Sequence, residues 1–168
     1  MASGIDLNAN VLTTVQILSA TDASIDEGSD LESYVQDYDT SKLKILQGDD
    51  IPKPCWFTVR PVSRDDFAQI CRSCDNDVSL VAEELFRVGV LRVAGLKIKV
   101  NGVKKKNGKK SKPREVPYLV RRESQGGRLD RLTDESFAIF PSAVRQEIGL
   151  ALYRMSEITP AGGHEKNL

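Results

Sequence analysis

The chain has 168 residues, 40% of them apolar and 29% charged, which suits one soluble domain or one domain carrying an arm. Lys+Arg and Asp+Glu stand at 24 each, so the formal net charge is zero, and a uniform spread would exclude a general polyanion binder. The spread is not uniform: residues 1–52 hold ten acids against Lys42 and Lys44, a local −8 that leaves +8 for the remainder.

No run approaches the roughly 18 apolar residues a membrane-spanning helix requires. The opening MASGIDLNAN lacks the basic region and apolar core of a signal peptide. Three cysteines in no disulfide-framework spacing point to a reducing site of synthesis.

Residues 1–40 are rich in Ser, Thr, Asp and Asn, with one apolar patch at 11–18 where Val15 and Ile17 suggest a short strand. The stretch from Thr21 to Thr40 is acidic and poor in large apolar residues, so residues 1–40 are expected to form an arm. Such an arm is flexible alone, ordered on a partner, or folded back on its own subunit. Its acids Asp22, Asp26, Glu27, Asp30, Glu32, Asp37 and Asp39 are the nominated contact residues.

From Ser41 the pattern changes. KLKILQ, the turn residues of GDDIPKP, and WFTVRPV predict the two arms of a β-hairpin or two neighbouring strands, with Phe57 and Val59 on one face of the second. Ser63 is a good N-cap, and Phe67, Ile70, Cys71 and Cys74 fall on one helical stripe. Asp75–Asp77 recap a second helix with Val78, Val81, Ala82, Leu85 and Val88 on its stripe, and Gly89 fits a C-terminal stop.

VLRVAGLKIKV reads as a strand and VPYLVRR at 116–122 as its return. The intervening segment holds two Asn-Gly pairs, so a β-hairpin with a long basic tip at 101–115 is expected. Residues 97–128 carry twelve basic side chains against Glu115 and Glu123, a local +10. Lys104, Lys105, Lys106, Lys109, Lys110, Lys112 and Arg114 are the nominated tip contacts. Gln125-Gly126-Gly127 is a loop, Thr133 opens a short helix with Phe137 and Phe140, and a final helix runs from about Ser142 to Ile158. Residues 159–168 form a tail.

Chemistry-bearing patterns are weak. Cys71 and Cys74 form a CxxC late in a helix, not at the N-terminus where the dipole would activate a thiol. A structural zinc needs about four ligands, and only Cys55 and His164 remain. His164 is the single histidine and sits in the tail, without the scaffold a triad requires. No phosphate-loop or dinucleotide fingerprint is present. The expectation is no enzyme, no cofactor and no metal.

The tip can neutralise phosphates, but it lacks interleaved aromatics and favours lysine over arginine, which suits diffuse charge contact. The acidic arm of one subunit could equally meet the basic hairpin of another, fixing register.

Three lines, GDDIPKPCWFTVRPVSRDDFAQI, ELFRVGVLRVAGL and RLTDESFAIFPSAVRQEIGLALYRMSEIT, resemble the small structural and morphogenesis proteins of tailed bacteriophages, similar to tail-assembly chaperones and accessory virion proteins. The resemblance spans roughly 41–158 and transfers no individual residue. It implies a non-enzymatic role in building a virion, with synthesis in the host cytoplasm and a place in the particle. The expected architecture is α+β: a small antiparallel sheet with an extended basic hairpin, a helical hairpin and a C-terminal helix over 41–158, plus the N-terminal arm. The expected partners are other copies of the chain and other virion proteins, with nucleic acid as the alternative and neither a membrane nor a small-molecule substrate.

Overall fold

Three side chains start the main helices by accepting backbone N–H groups that have no partner within the helix. In a computed structural model, which describes residues 14–100, 106–124 and 129–158, Ser63 caps α2 (Arg64–Ser73), Asp77 caps α3 (Val78–Gly89) and Thr133 caps α4 (Asp134–Ala138). The Ser63 hydroxyl also donates to the Asp66 carboxylate at 2.6 Å while accepting the Asp66 N–H at 3.2 Å, a reciprocal bond that fixes the first turn. A fifth helix, α5, spans Ser142–Ile158, and a short α1 spans Leu31–Asp37.

The strands are short. β1 (Val15–Ile17), β2 (Trp56–Val59) and β3 (Val90–Ala94) form a sheet in the order β1-β2-β3. β4 (Lys97–Val100) pairs antiparallel with β5 (Arg114–Pro117), and β6 (Arg122–Glu123) with β7 (Arg131–Leu132). The fold is α+β, as its alternating strand and helix signals predict.

The described residues divide into two units. One holds 14–15, 59–91, 122–124 and 129–158; the other holds 16–58, 92–100 and 106–121. The first is helical. Its core joins Val81, Ala82, Leu85 and Phe86 of α3 to Ile148, Ala151 and Leu152 of α5, all buried. Phe86 meets Phe137 and Phe140 edge-on at ring separations of 5.9 and 5.4 Å. α3 and α5 approach so closely that a Cβ on Gly149 would lie 2.1 Å from the Ala82 carbonyl oxygen.

Gly89 ends α3 where expected, for a different reason. It has no left-handed backbone; a Cβ there would meet Leu152 Cδ1 at 2.6 Å. Packing requires the glycine, and the helix passes straight into β3 with Val90 extended.

The second unit revises the reading of residues 1–40. Over 14–40 the chain is folded, not an extended arm, and the boundary placed at residue 41 falls inside one unit, 16–58. Ile17, Leu18, Tyr34 and Tyr38 are buried there. The Tyr34 hydroxyl accepts the Leu18 N–H at 2.8 Å and donates to the Leu18 carbonyl at 2.9 Å, and its ring meets Tyr38 edge-on at 5.1 Å. Two aromatic residues in a polar stretch thus supply the core that composition alone denied. Tyr34→Phe strands both Leu18 backbone groups and is expected to cost about 2 kcal/mol. Amide exchange at Leu18 checks it, rising in the variant.

Two strand expectations also change. KLKILQ follows a 3₁₀ turn at Thr40–Lys42 that ends on its first residue, and makes a single antiparallel bridge, Ile45 with Ile25, rather than a strand beside β2. The run 90–100 is two strands, broken at Gly95, whose φ is 85° and whose Cβ would lie 2.1 Å from the Pro54 carbonyl oxygen. The expected Asn101-Gly102 turn, the 125–127 loop and the 159–168 tail lie outside the described residues.

Candidate interaction surface

The β4–β5 ribbon has two distinct faces because side chains alternate along a strand. Its register places Lys97 opposite Pro117, Ile98 opposite Val116, Lys99 opposite Glu115 and Val100 opposite Arg114. Ile98 and Val116 share a half-buried face, whereas Lys97, Lys99, Glu115 and Pro117 are exposed on the other. The return strand begins at Arg114, two residues earlier than VPYLVRR suggests; Tyr118, just beyond it, is buried and donates its N–H to the Leu96 carbonyl at 2.9 Å.

Beyond the strands, Asn107-Gly108 makes a turn in which Gly108 adopts φ 73° with open space around it. Lys106, Lys109, Lys110, Lys112 and Arg114 are all exposed. Lys104 and Lys105 lie outside the described residues. None of the described ribbon cations, Lys97 and Lys99 included, forms an ion pair with another described residue.

The nominated acids behave differently. Asp22 accepts from the Ser24 N–H at 2.9 Å through one oxygen and the Cys55 N–H at 2.9 Å through the other. Asp26 accepts the Gly28 N–H at 2.7 Å, and Asp30 caps α1 through the Ser33 N–H at 3.1 Å. Asp37 pairs with Lys42 at 2.6 Å and accepts the Asp39 N–H; Asp39 accepts the Ser41 N–H. Glu27 and Glu32 are exposed. Five of the seven acids therefore shape their own loops, which is the usual role of Asp beside Ser and Gly.

These bonds hold three carboxyls below the ordinary aspartate value of 3.8: Asp30 through the Ser33 N–H, Asp37 through Lys42, and Asp39 through the Ser41 hydroxyl. A lowered native value means the bonds contribute fully above the unfolded value and are lost as pH falls through the native one.

Of the cysteines, Cys74 is buried and caps the C-terminal end of α2, and Cys71 is half-buried with its thiol pushed up, chiefly by burial. Neither stands at a helix N-terminus, so no dipole activates it. Burial, with the Asp22 carboxylate adding to it, pushes the Cys55 thiol up to about 11. At pH 8 that shift from 9.0 reduces the thiolate fraction about 100-fold. Cys55 is expected to alkylate with iodoacetamide correspondingly more slowly in the native chain than in denaturant, as read by peptide mass spectrometry. His164 lies outside the described residues; among those described, no three His, Cys, Asp or Glu gather to hold a metal ion.

The helical unit carries a cleft of about 410 Å³ lined by Arg60, Ser63, Asp66, Val88, Arg122 and Asp130 among others. Two cations face two carboxylates, so the cleft has no net charge to offer. Arg122 donates to the Val90 carbonyl, the Val88 carbonyl at 2.8 Å and the Asp130 carbonyl. Burial lowers its pKa, with Asp130 opposing and Arg60 adding like charge. Its donors serve the backbone, which makes it a structural tie. The sequence offered no signal for it, because a carbonyl acceptor has no residue type.

Comparison with protein-family models, with curated proteins and with solved structures finds no match.

Proposed function

We propose that the chain is a non-enzymatic structural or assembly protein of a tailed bacteriophage, and that the β4–β5 ribbon is its contact surface. The observation that carries this reading is the ribbon itself. It is a two-stranded sheet, a form marginally stable alone in water; Lys106, Lys109, Lys110 and Lys112, between its strands, and Arg114, at the start of β5, are exposed and without ion-pair partners among the described residues. A cluster of exposed cations without ion-pair partners serves to meet another molecule of opposite charge. The resemblance of residues 41–158 to phage morphogenesis proteins supplies the setting.

The acidic stretch does not serve as a detachable arm in this reading. Deleting residues 1–40 would remove Ile17, Leu18, Tyr34 and Tyr38 from a core, so the ribbon is the segment to alter. With Lys106, Lys109, Lys110, Lys112 and Arg114 all changed to Gln in the encoding phage, the yield of complete particles is expected to fall at least about tenfold, a loss equivalent to about 1.4 kcal/mol of contact free energy. The melting temperature of the purified chain stays unchanged. Particle yield equal to that of the parent contradicts the reading.

A further inference from the structure

We infer that the occupant of the ribbon is duplex DNA, held through its phosphates without base recognition. This rests on the reading of the ribbon as the contact surface and names its partner. Two observations favour DNA over an acidic protein.

First, the cations are dense. Lys109, Lys110, Lys112 and Arg114 fall within six residues, a length of at most roughly 18 Å even fully extended. A duplex carries one negative charge per about 1.7 Å of axis, so about ten phosphates lie along that distance. Second, the chain's own acidic stretch is a poor complement, because Asp22, Asp26, Asp30, Asp37 and Asp39 orient their carboxylates on neighbouring donors.

The side-chain types then set the mode. Lysine is a point charge that suits phosphate contact, whereas bidentate base reading is the work of arginine and amide side chains. Among the ribbon cations only Arg114 carries a guanidinium, and no aromatic residue lies between 106 and 114. Binding is therefore electrostatic and indifferent to sequence. The zero net charge of the whole chain does not oppose this, since a Debye length of about 8 Å at physiological salt screens charges farther away.

The test uses the full-length chain and a fluorescent random-sequence duplex of about two helical turns, with anisotropy read from 50 to 200 mM salt. With about five phosphates neutralised, affinity is expected to fall about 500-fold across that range, a log–log slope of about −4.5. Changing Lys109, Lys110 and Lys112 to Gln is expected to lower the slope by about 3. Two duplexes of different sequence bind alike. Absence of binding at 50 mM salt, or a slope untouched by the substitutions, overturns the inference. Poly-glutamate binding as tightly as DNA also overturns it, and assigns the ribbon to an acidic protein surface. The particle-yield result is independent of these outcomes: a yield loss without DNA binding leaves the ribbon as the contact and removes only its DNA partner.

Discussion

Replacing Gly149 with alanine is expected to destabilise the helical unit by about 3 kcal/mol or more, reversing the sign that helix propensity alone assigns. In an exposed helix interior, glycine to alanine gains about 1 kcal/mol. Here the new methyl would lie 2.1 Å from the Ala82 carbonyl oxygen and 2.6 Å from its carbon. Those atoms are backbone, so no side-chain rotation relieves the overlap. α5 must move away from α3, opening the contacts of Leu85, Ile148 and Leu152, all fully buried. Overpacking of this kind costs about 1–3 kcal/mol and sometimes more. For a chain of this size the melting temperature falls by about 2–4 °C per kcal/mol, so a drop of about 6–12 °C is expected by calorimetry. Adding Ala82→Gly does not rescue the variant, because the obstruction is the carbonyl and not the Ala82 methyl. A melting temperature at or above that of the parent contradicts the close crossing.

Arg122→Ala is the second large effect. α3 passes into β3 without a left-handed glycine, so the carbonyls at this junction lack the usual cap. The Arg122 guanidinium supplies it, reaching Val88 in the last turn, Val90 at the start of β3, and Asp130 near β7. A cation at a helix C-terminus is favourable in itself, and hydrogen bonds from a charged donor are worth about 1.5–3 kcal/mol each. Part of the loss is recovered by water, since the group is only partly buried, leaving about 2–4 kcal/mol. Arg122→Lys recovers little of it: one ammonium cannot span three carbonyls that a planar fork reaches together. Chemical denaturation of the three proteins checks the order, parent above Lys, with Lys at or slightly above Ala.

What the sequence shows and hides follows from where the information resides. The caps at Ser63 and Thr133 are legible because a side-chain acceptor before an apolar stripe is a local signal, and both helices begin there. The final helix expected from about Ser142 to Ile158 forms as α5, with Ile148, Ala151 and Leu152 buried at helical spacing. The break at Gly95 is hidden because the obstruction comes from Pro54, about forty residues away. Residues 14–40 mislead for a similar reason: their core depends on Tyr34 reaching back to Leu18, and sparse apolar residues dilute to nothing in a composition window. At the candidate surface, Lys106, Lys109, Lys110, Lys112 and Arg114 are legible as a charge run and are all exposed. The acids are legible as charge but not as turn-formers, because a carboxylate beside Ser or Gly serves either end equally well in one dimension.

The zero net charge thus conceals two unlike stretches: acids held in local bonds and a basic segment without such partners. The proposed role of this segment in a phage particle is tested most directly by lysine acetylation footprinting of the free chain, of assembly intermediates and of particles. Lys106, Lys109, Lys110 and Lys112 are expected to lose reactivity on assembly, while the exposed Lys44 and Lys53 stay fully reactive. Equal labelling of all six in the free and assembled chain would contradict the account.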